Sequence, residues 1–218
     1  MEQDLDFSKL YSIQDKILSI LFGLDNTFYL TGGTALHRFY YNMRYSDDLD
    51  FFSQADPHFH EFIEQFLYTL REKNILFSRD VHSKDFSRIM VQDYLRVDFV
   101  NDYVYREGVS RIIEGLRIDN VVNILTNKIG AIMDRDEAKD FFDLFAIAYH
   151  ENFSWAEMLQ IAGKKAFVDK DQLSYRIETF PVSWLKKIKT IKPLTITEME
   201  IPRLVSDLRE EKENSLKR

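Results

Sequence analysis

The sequence predicts an α+β fold, with a mixed sheet and flanking helices in its first half and helices alone in its second. Three observations carry this. Short β-rich runs separated by turn residues occupy residues 27–100. Apolar positions recur at helical spacing from Asn120 onward. Between the first β-rich run and the next, Gly32-Gly33 breaks the chain before helical character resumes. The expected division is an α/β core over residues 1–118 and a helical region over 119–218 packed on it.

Each element has its own signal. Ser8–Phe22 places Leu10, Ile13, Ile17, Ile20 and Leu21 on one helical face, and Gly23 stops it. Thr27–Thr31 is short and β-rich. Thr34–Tyr41 reads as helix, with Thr34 a candidate cap. Asp48–Phe52 alternates as a strand, and Pro57 opens a helix running to about Lys73. Ile75–Val81, Phe86–Val91 and Tyr94–Val100 read as three strands, the last two joined by a tight turn at Gln92-Asp93. Beyond them Asp119 is the expected cap of "NVVNILTNKIGAIM". "DEAKDFFDLFAIAY" makes a second helix, and Ser154 caps a third. Further helices broken by Pro181, Pro193 and Pro202 follow, and the charged end "REEKENSLKR" is expected to fray.

The 218 residues suffice for a sizeable core. A formal net charge of -7 excludes a uniformly basic nucleic-acid sheath, though not a local basic patch. With no cysteine, disulfide frameworks and thiolate metal sites are excluded. His58 and His60, beside Pro57, read as surface or cap residues rather than metal ligands. The start "MEQDLDFSKL" lacks a basic-then-apolar leader pattern, and no apolar run reaches membrane-span length. The expected location is therefore the cytoplasm, without membrane contact.

The chemistry concentrates in "TGGTALHRFYYNMRYSDDLDFF", Thr31–Phe52. A double glycine between strand and helix lets backbone N–H groups approach an anion such as phosphate, with Thr34 adding a hydroxyl; a plain strand-to-helix turn is the alternative. On a strand, Asp48 and Asp50 point the same way, about 7 Å apart, while Leu49 and Phe51 enter the core. Two like charges on one face call for a cation, and Mg²⁺ takes carboxylate oxygens together with substrate phosphates. The alternative is a solvated strand edge. Asp47 falls elsewhere and is not assigned. Asp98, between Val97 and Phe99, is a third carboxylate that a neighbouring strand could bring alongside, unless it serves as an ion pair with Arg96. Three carboxylates can hold two divalent ions at an in-line displacement on phosphorus.

These residues resemble the AbiEii/AbiGii toxin family within the polymerase-β-like nucleotidyltransferase superfamily. The family pattern Gly-Gly-Thr-Ala-Leu followed by Arg-x-Ser-x-Asp-x-Asp-Phe is matched by Gly32–Leu36 and by Arg44, Ser46, Asp48, Asp50 and Phe51. A helical lysine and a Lys-Asp-aromatic-aromatic-Asp-Leu element are matched by Lys128 and Lys139–Leu144. The matched pattern runs from about Tyr29 to Ala148, and Asp98 is a looser match than Asp48 and Asp50. Helical spacing independently puts Lys128 on a stripe with Val121, Leu125 and Ile132, and Asp143 is the one charge in "FFDLFAIA". Either Lys128 meets a triphosphate, or a Lys128–Asp143 or Arg135–Asp143 pair holds two helices together. Asp140 reads as surface. Arg44 and Ser46 either orient the Asp-x-Asp strand or touch phosphate.

The resemblance implies a polymerase-β-like core and a toxin that moves NMP from an NTP to a hydroxyl acceptor with Mg²⁺ as cofactor. The acceptor would be RNA, such as a tRNA 3′ end, or protein, and a cognate antitoxin is an implied partner. On this reading Asp48, Asp50 and Asp98 are metal and catalytic residues, joined by Lys128 and Asp143. Gly32, Gly33, Thr34, Arg44, Ser46 and Lys128 bind the nucleotide. The lysine run Lys186–Lys192 is either an RNA contact or a solvated helix face. Two rival functions use the same residues: another metal-dependent phosphoesterase or phosphotransferase, or a non-catalytic binding protein. No G-x-x-x-x-G-K-[ST] motif occurs, so a P-loop kinase is disfavoured.

Overall fold

A computed structural model describes residues 5–197 and 199–218. The leader reading therefore lies partly outside the described residues, at positions 1–4. The chain separates into two compact units. The first takes the chain up to Ala35, Ser46–Tyr103 and Ser110–Asp119; the second takes Leu36–Tyr45, Val104–Val109 and Asn120–Arg218.

The first unit is built on a seven-stranded mixed sheet. Its strands are β1 (Tyr29–Thr31), β2 (Asp48–Gln54), β3 (Phe77–His82), β4 (Phe86–Val91), β5 (Leu95–Asp102), β6 (Arg111–Ile113) and β7 (Leu116–Ile118), in the order β3-β4-β5-β2-β1-β7-β6. β2 runs parallel to β5 and antiparallel to β1. Helix α1 (Phe7–Phe22) brings Phe22 onto Phe51, and α3 (Phe59–Glu72) brings Phe66 onto Phe99. The face of the sheet carrying Leu49, Phe51, Val97 and Phe99 is thus fully buried. Alternation sends Asp48, Asp50 and Asp98 to the opposite face. Gln92 and Asp93 both have positive φ in the three-residue turn between β4 and β5, which Tyr94 N–H closes by donating to Val91 O at 3.0 Å.

The second unit is helical. It contains α4 (Val121–Asp134), α5 (Ala138–His150), α6 (Trp155–Gly163), α7 (Lys170–Thr179), a 3-10 turn (Val182–Lys187) and α8 (Glu200–Arg209). Helix α2 (Gly32–Leu36) continues as a π-helical turn, His37–Tyr41, whose residues belong to this unit. Among the described residues no helix is long and apolar enough to cross a membrane.

Several expectations are corrected. Asn120, not Asp119, caps α4, its side chain accepting from the Asn123 N–H at 2.9 Å. Asp119 instead accepts the Thr31 hydroxyl at 2.8 Å, tying β7 to β1. Thr34 lies inside α2 and is no cap. The β6–β7 hairpin went unread, because three-residue strands carry too little alternation; Glu114 and Gly115 make its turn at positive φ. Pro202 does not break a helix; it sits in the first turn of α8, where no intrahelical donor is lost. Lys189–Lys192 are not helical. The charged end does not fray: Leu216 is buried, Asn214 N–H donates to Phe153 O at 2.8 Å, and Arg218 N–H donates to Tyr149 O at 3.0 Å.

Candidate active site

The site residues fall into two groups, one in each unit. In the first unit, strand register sets the geometry. Asp50 pairs with Asp98 across the parallel β2–β5 ladder, Asp98 with Arg88 across β5–β4, and Asp50 with Thr31 across β2–β1. Arg88, Asp98, Asp50 and Thr31 therefore form one row across four strands. Asp48 lies one step along on the same face, opposite Arg96. Two carboxylates directly opposed are destabilising unless cations compensate them. Arg88 does so, bonding Asp98 through Nε and Nη2 at 2.7 Å each. The Asp98 carboxylate raises the Arg88 pKa further. Arg96 Nη2 pairs with Asp48, and its Nε lies 3.6 Å from Asp98. The anticipated Arg96–Asp98 contact is thus the secondary one.

Backbone contacts fix the start of β2. The Asp48 carbonyl accepts from the Thr34 hydroxyl at 2.5 Å and from Gln14 Nε2 at 3.4 Å. Gln14 also donates to Ser46 O at 3.1 Å, and Ser46 N–H donates to the Tyr11 hydroxyl at 3.2 Å. Thr34 and Ser46 are buried and brace the strand. Asp47 precedes the strand and is exposed. Gly33 is buried. Gly32 has φ +72°, and a Cβ there would lie 2.6 Å from Asp50 Oδ2. What the first glycine admits is the Asp50 carboxylate, which only a residue without a side chain allows.

Do these donors suit a divalent cation? Their chemistry does, since three carboxylates share one face in register. Yet among the described residues no group of three or more His, Cys, Asp or Glu is gathered as an ion would require. Asp48 and Asp98 are turned onto Arg96 and Arg88, which supply the compensating charge in this arrangement.

The second unit holds a buried charge network centred on Asp143, which is fully enclosed. Arg44 forks onto it, Nε to Oδ1 at 2.7 Å and Nη2 to Oδ2 at 2.9 Å. Lys128 Nζ lies 2.6 Å from Oδ2 and His37 Nε2 lies 2.7 Å from Oδ1. Asp140, read from sequence as surface, is fully buried, with Lys128 Nζ at 2.7 Å and Arg135 Nε at 2.8 Å. Three residues apart on a helix, Asp140 and Asp143 share a face, and Lys128 bridges them.

Burial alone would raise the Asp143 pKa, but the charges of Arg44 and Lys128 and the His37 hydrogen bond hold it well below the usual carboxylate range. Burial alone would lower Lys128; Asp143 and Asp140 more than offset this and raise it. His37 is pushed down, chiefly by burial, so its neutral ring donates from Nε2 to Asp143. Its Nδ1 is buried without a hydrogen-bond partner. A carboxylate so fully engaged is a poor proton acceptor. What it can do is hold Arg44 and Lys128 in fixed positions.

Sequence reasoning missed Gln14, Arg88, His37 and Asp140. Gln14 had a signal, a polar residue on the Leu10–Ile17–Leu21 stripe. Arg88 had none, because only strand pairing brings it to Asp98.

A family model for the nucleotidyl transferase AbiEii toxin of type IV TA systems matches residues 16–215. An uncharacterized protein of Aquifex aeolicus, aq_aa25, is 31% identical over 157 residues, 69% of this chain and 71% of that protein. Among solved structures, JHP933 from Helicobacter pylori superposes with a TM-score of 0.55 at 23% identity, covering 81% of this chain and 75% of its own. MenT4, a nucleotidyltransferase toxin of Mycobacterium tuberculosis, superposes with a TM-score of 0.50 at 16% identity, covering 92% and 73%. At these identities the structural likenesses establish the fold, that of polymerase-β-like nucleotidyltransferases.

Proposed function

The chain belongs to the family of AbiEii nucleotidyltransferase toxins, and from that premise we propose that it moves NMP from an NTP to a hydroxyl acceptor, of RNA such as a tRNA or of a protein. The observation that supports this best is the register that sets Asp98 directly opposite Asp50, with Asp48 on the same face. In this reading Asp48, Asp50 and Asp98 would hold Mg²⁺, which when bound supplies positive charge to the reacting phosphate. Arg96 and Arg88 keep Asp48 and Asp98 aimed. Gly32 and Gly33 bring backbone N–H groups to phosphate, while Thr34 and Ser46 hold the strand that presents Asp48 and Asp50. Lys128 neutralises the triphosphate. Arg44 and Asp143 act by positioning, with Asp143 setting Lys128. Residues 1–118 furnish the core and 119–218 the helical region. A cognate antitoxin would be the partner that restrains the activity.

The test is incubation with each labelled NTP and total cellular RNA or protein. Wild type should release pyrophosphate and leave label on one acceptor class. Asp48→Asn should lose transfer by about a hundredfold or more while keeping its fold. Full transfer by that variant would sink the mechanism. Pyrophosphate release with only free NMP would assign hydrolysis instead.

A further inference from the structure

The lysine run near the C-terminal end occupies a place that its sequence does not disclose. Phe180 stacks on Phe141 of α5 at a centroid distance of 3.8 Å, and Trp184 meets Phe180 edge-on at 6.1 Å. The 3-10 turn carrying Trp184 is thereby rooted on the helix of Asp140 and Asp143. The following residues zip onto the segment that carries Arg44. Lys189 O accepts from Tyr45 N–H at 3.0 Å, and Met43 O accepts from Ile191 N–H at 2.8 Å and Lys192 N–H at 3.0 Å. Thr190 forms a bridge with Arg44. The strap is thus a fixed border of the Arg44–Asp143 network within one unit.

Its outward chemistry is distinctive. Lys186, Lys187 and Lys192 are exposed, in a chain whose net charge is -7. Trp184 remains 39% exposed, with Lys187 Nζ 5.3 Å from its ring centroid. Backbone bonds to Met43 and Tyr45 hold residues 189–192 in place.

We propose that Trp184 and the lysines of residues 186–192 form the docking surface for a single-stranded RNA segment of the acceptor. Spaced cations match backbone phosphates, and an exposed indole beside them takes the face of an unpaired base. Duplex RNA hides its base faces, and an acidic protein would use the lysines but not the ring. The word "acceptor" rests on the nucleotidyltransferase reading; the binding does not.

The test uses the full chain, a fluorescein-labelled unstructured RNA of about twelve nucleotides, a site length within the range of single-strand binders, and anisotropy across a salt series. Of the two tryptophans, Trp155 is fully buried, so RNA should quench Trp184 alone, and Trp184→Phe should abolish the quench. Trp184→Leu should weaken binding roughly tenfold with the salt slope unchanged. Lys186→Ala/Lys187→Ala/Lys192→Ala should flatten the slope of log K against log salt by up to about 2, and the corresponding Lys→Arg variant should restore it. The proposal is overturned if wild type shows no RNA binding, if Trp184→Leu or the triple Lys→Ala variant binds like wild type, or if duplex RNA or polyglutamate competes equally well. Asp48→Asn should bind RNA normally. Transfer that survives with RNA binding unaltered by the strap substitutions sinks the surface alone; absent transfer with intact RNA binding sinks the enzymatic reading alone.

Discussion

Asp143 collects Arg44, Lys128 and His37 around one enclosed carboxylate. Removing its charge leaves buried cations uncompensated, so Asp143→Asn should destabilise the chain by about 3–5 kcal/mol, read by urea unfolding. Asp140→Asn should cost less, because Arg135 is half exposed and can turn to water. Equal losses in the two variants would contradict this ordering. At Gly32 the demands are conformational and steric together. Gly32→Ala must place a side chain at φ +72° and meet Asp50 Oδ2. The backbone term alone is about 1–2 kcal/mol. We expect reduced transfer activity, with a smaller loss of stability than Asp143→Asn causes. Wild-type turnover in the Gly32→Ala variant would show that the Asp50 carboxylate has no fixed position to lose.

At the scale of elements, the parallel β2–β5 pairing turns two separate sequence motifs into one row. The strands themselves were legible, because "DLDFF" and "LRVDFV" alternate and the Gln92-Asp93 turn marks β4 from β5. Their pairing was not, since no local signal says that Asp98 faces Asp50 rather than Arg96 alone. Asp140 shows a different failure. Its helical spacing from Asp143 was readable, but nothing local says that Lys128 and Arg135 meet it. Asp119 sat at a cap position by composition, and its true partner, Thr31, is 88 residues away. The strap likewise depends on long-range bonds to Met43 and Tyr45. Ile191→Pro removes one donor to Met43 O and should loosen it. Limited proteolysis should then cleave near Lys186–Lys192 faster than in wild type, with the far-ultraviolet spectrum little changed. Unaltered cleavage would mean that the remaining bonds suffice.

For the whole molecule, buried ionisable groups set the response to acid. His37 has a lowered pKa, so below about 6.5 the unfolded chain takes up that proton before the folded one does. Stability contributed by its neutral form is present above that pH and is lost as pH falls through the folded value. Asp143 and Asp140, also lowered, add a second loss below about 4. Glu200, held at about 2 against its own burial by Thr197, Arg218 and Tyr149, contributes in the same direction. Denaturation midpoints should therefore fall in two stages on acidification, and His37→Gln should remove the upper one. A persistent upper stage would assign it to another group. Both stages draw on the Asp143 network, and that network has a genetic consequence. When cells carrying a growth-arresting gene of this family are selected for survival, two routes to inactivation are open. On the proposed mechanism, substitution of Asp48 or Asp50 should leave a folded, silent protein. Substitutions at Arg44, Asp140 or Asp143 leave buried charge and little protein at all. Both routes silence the gene, so a survivor's missing activity at Asp143 is no evidence of chemistry there until its abundance has been measured.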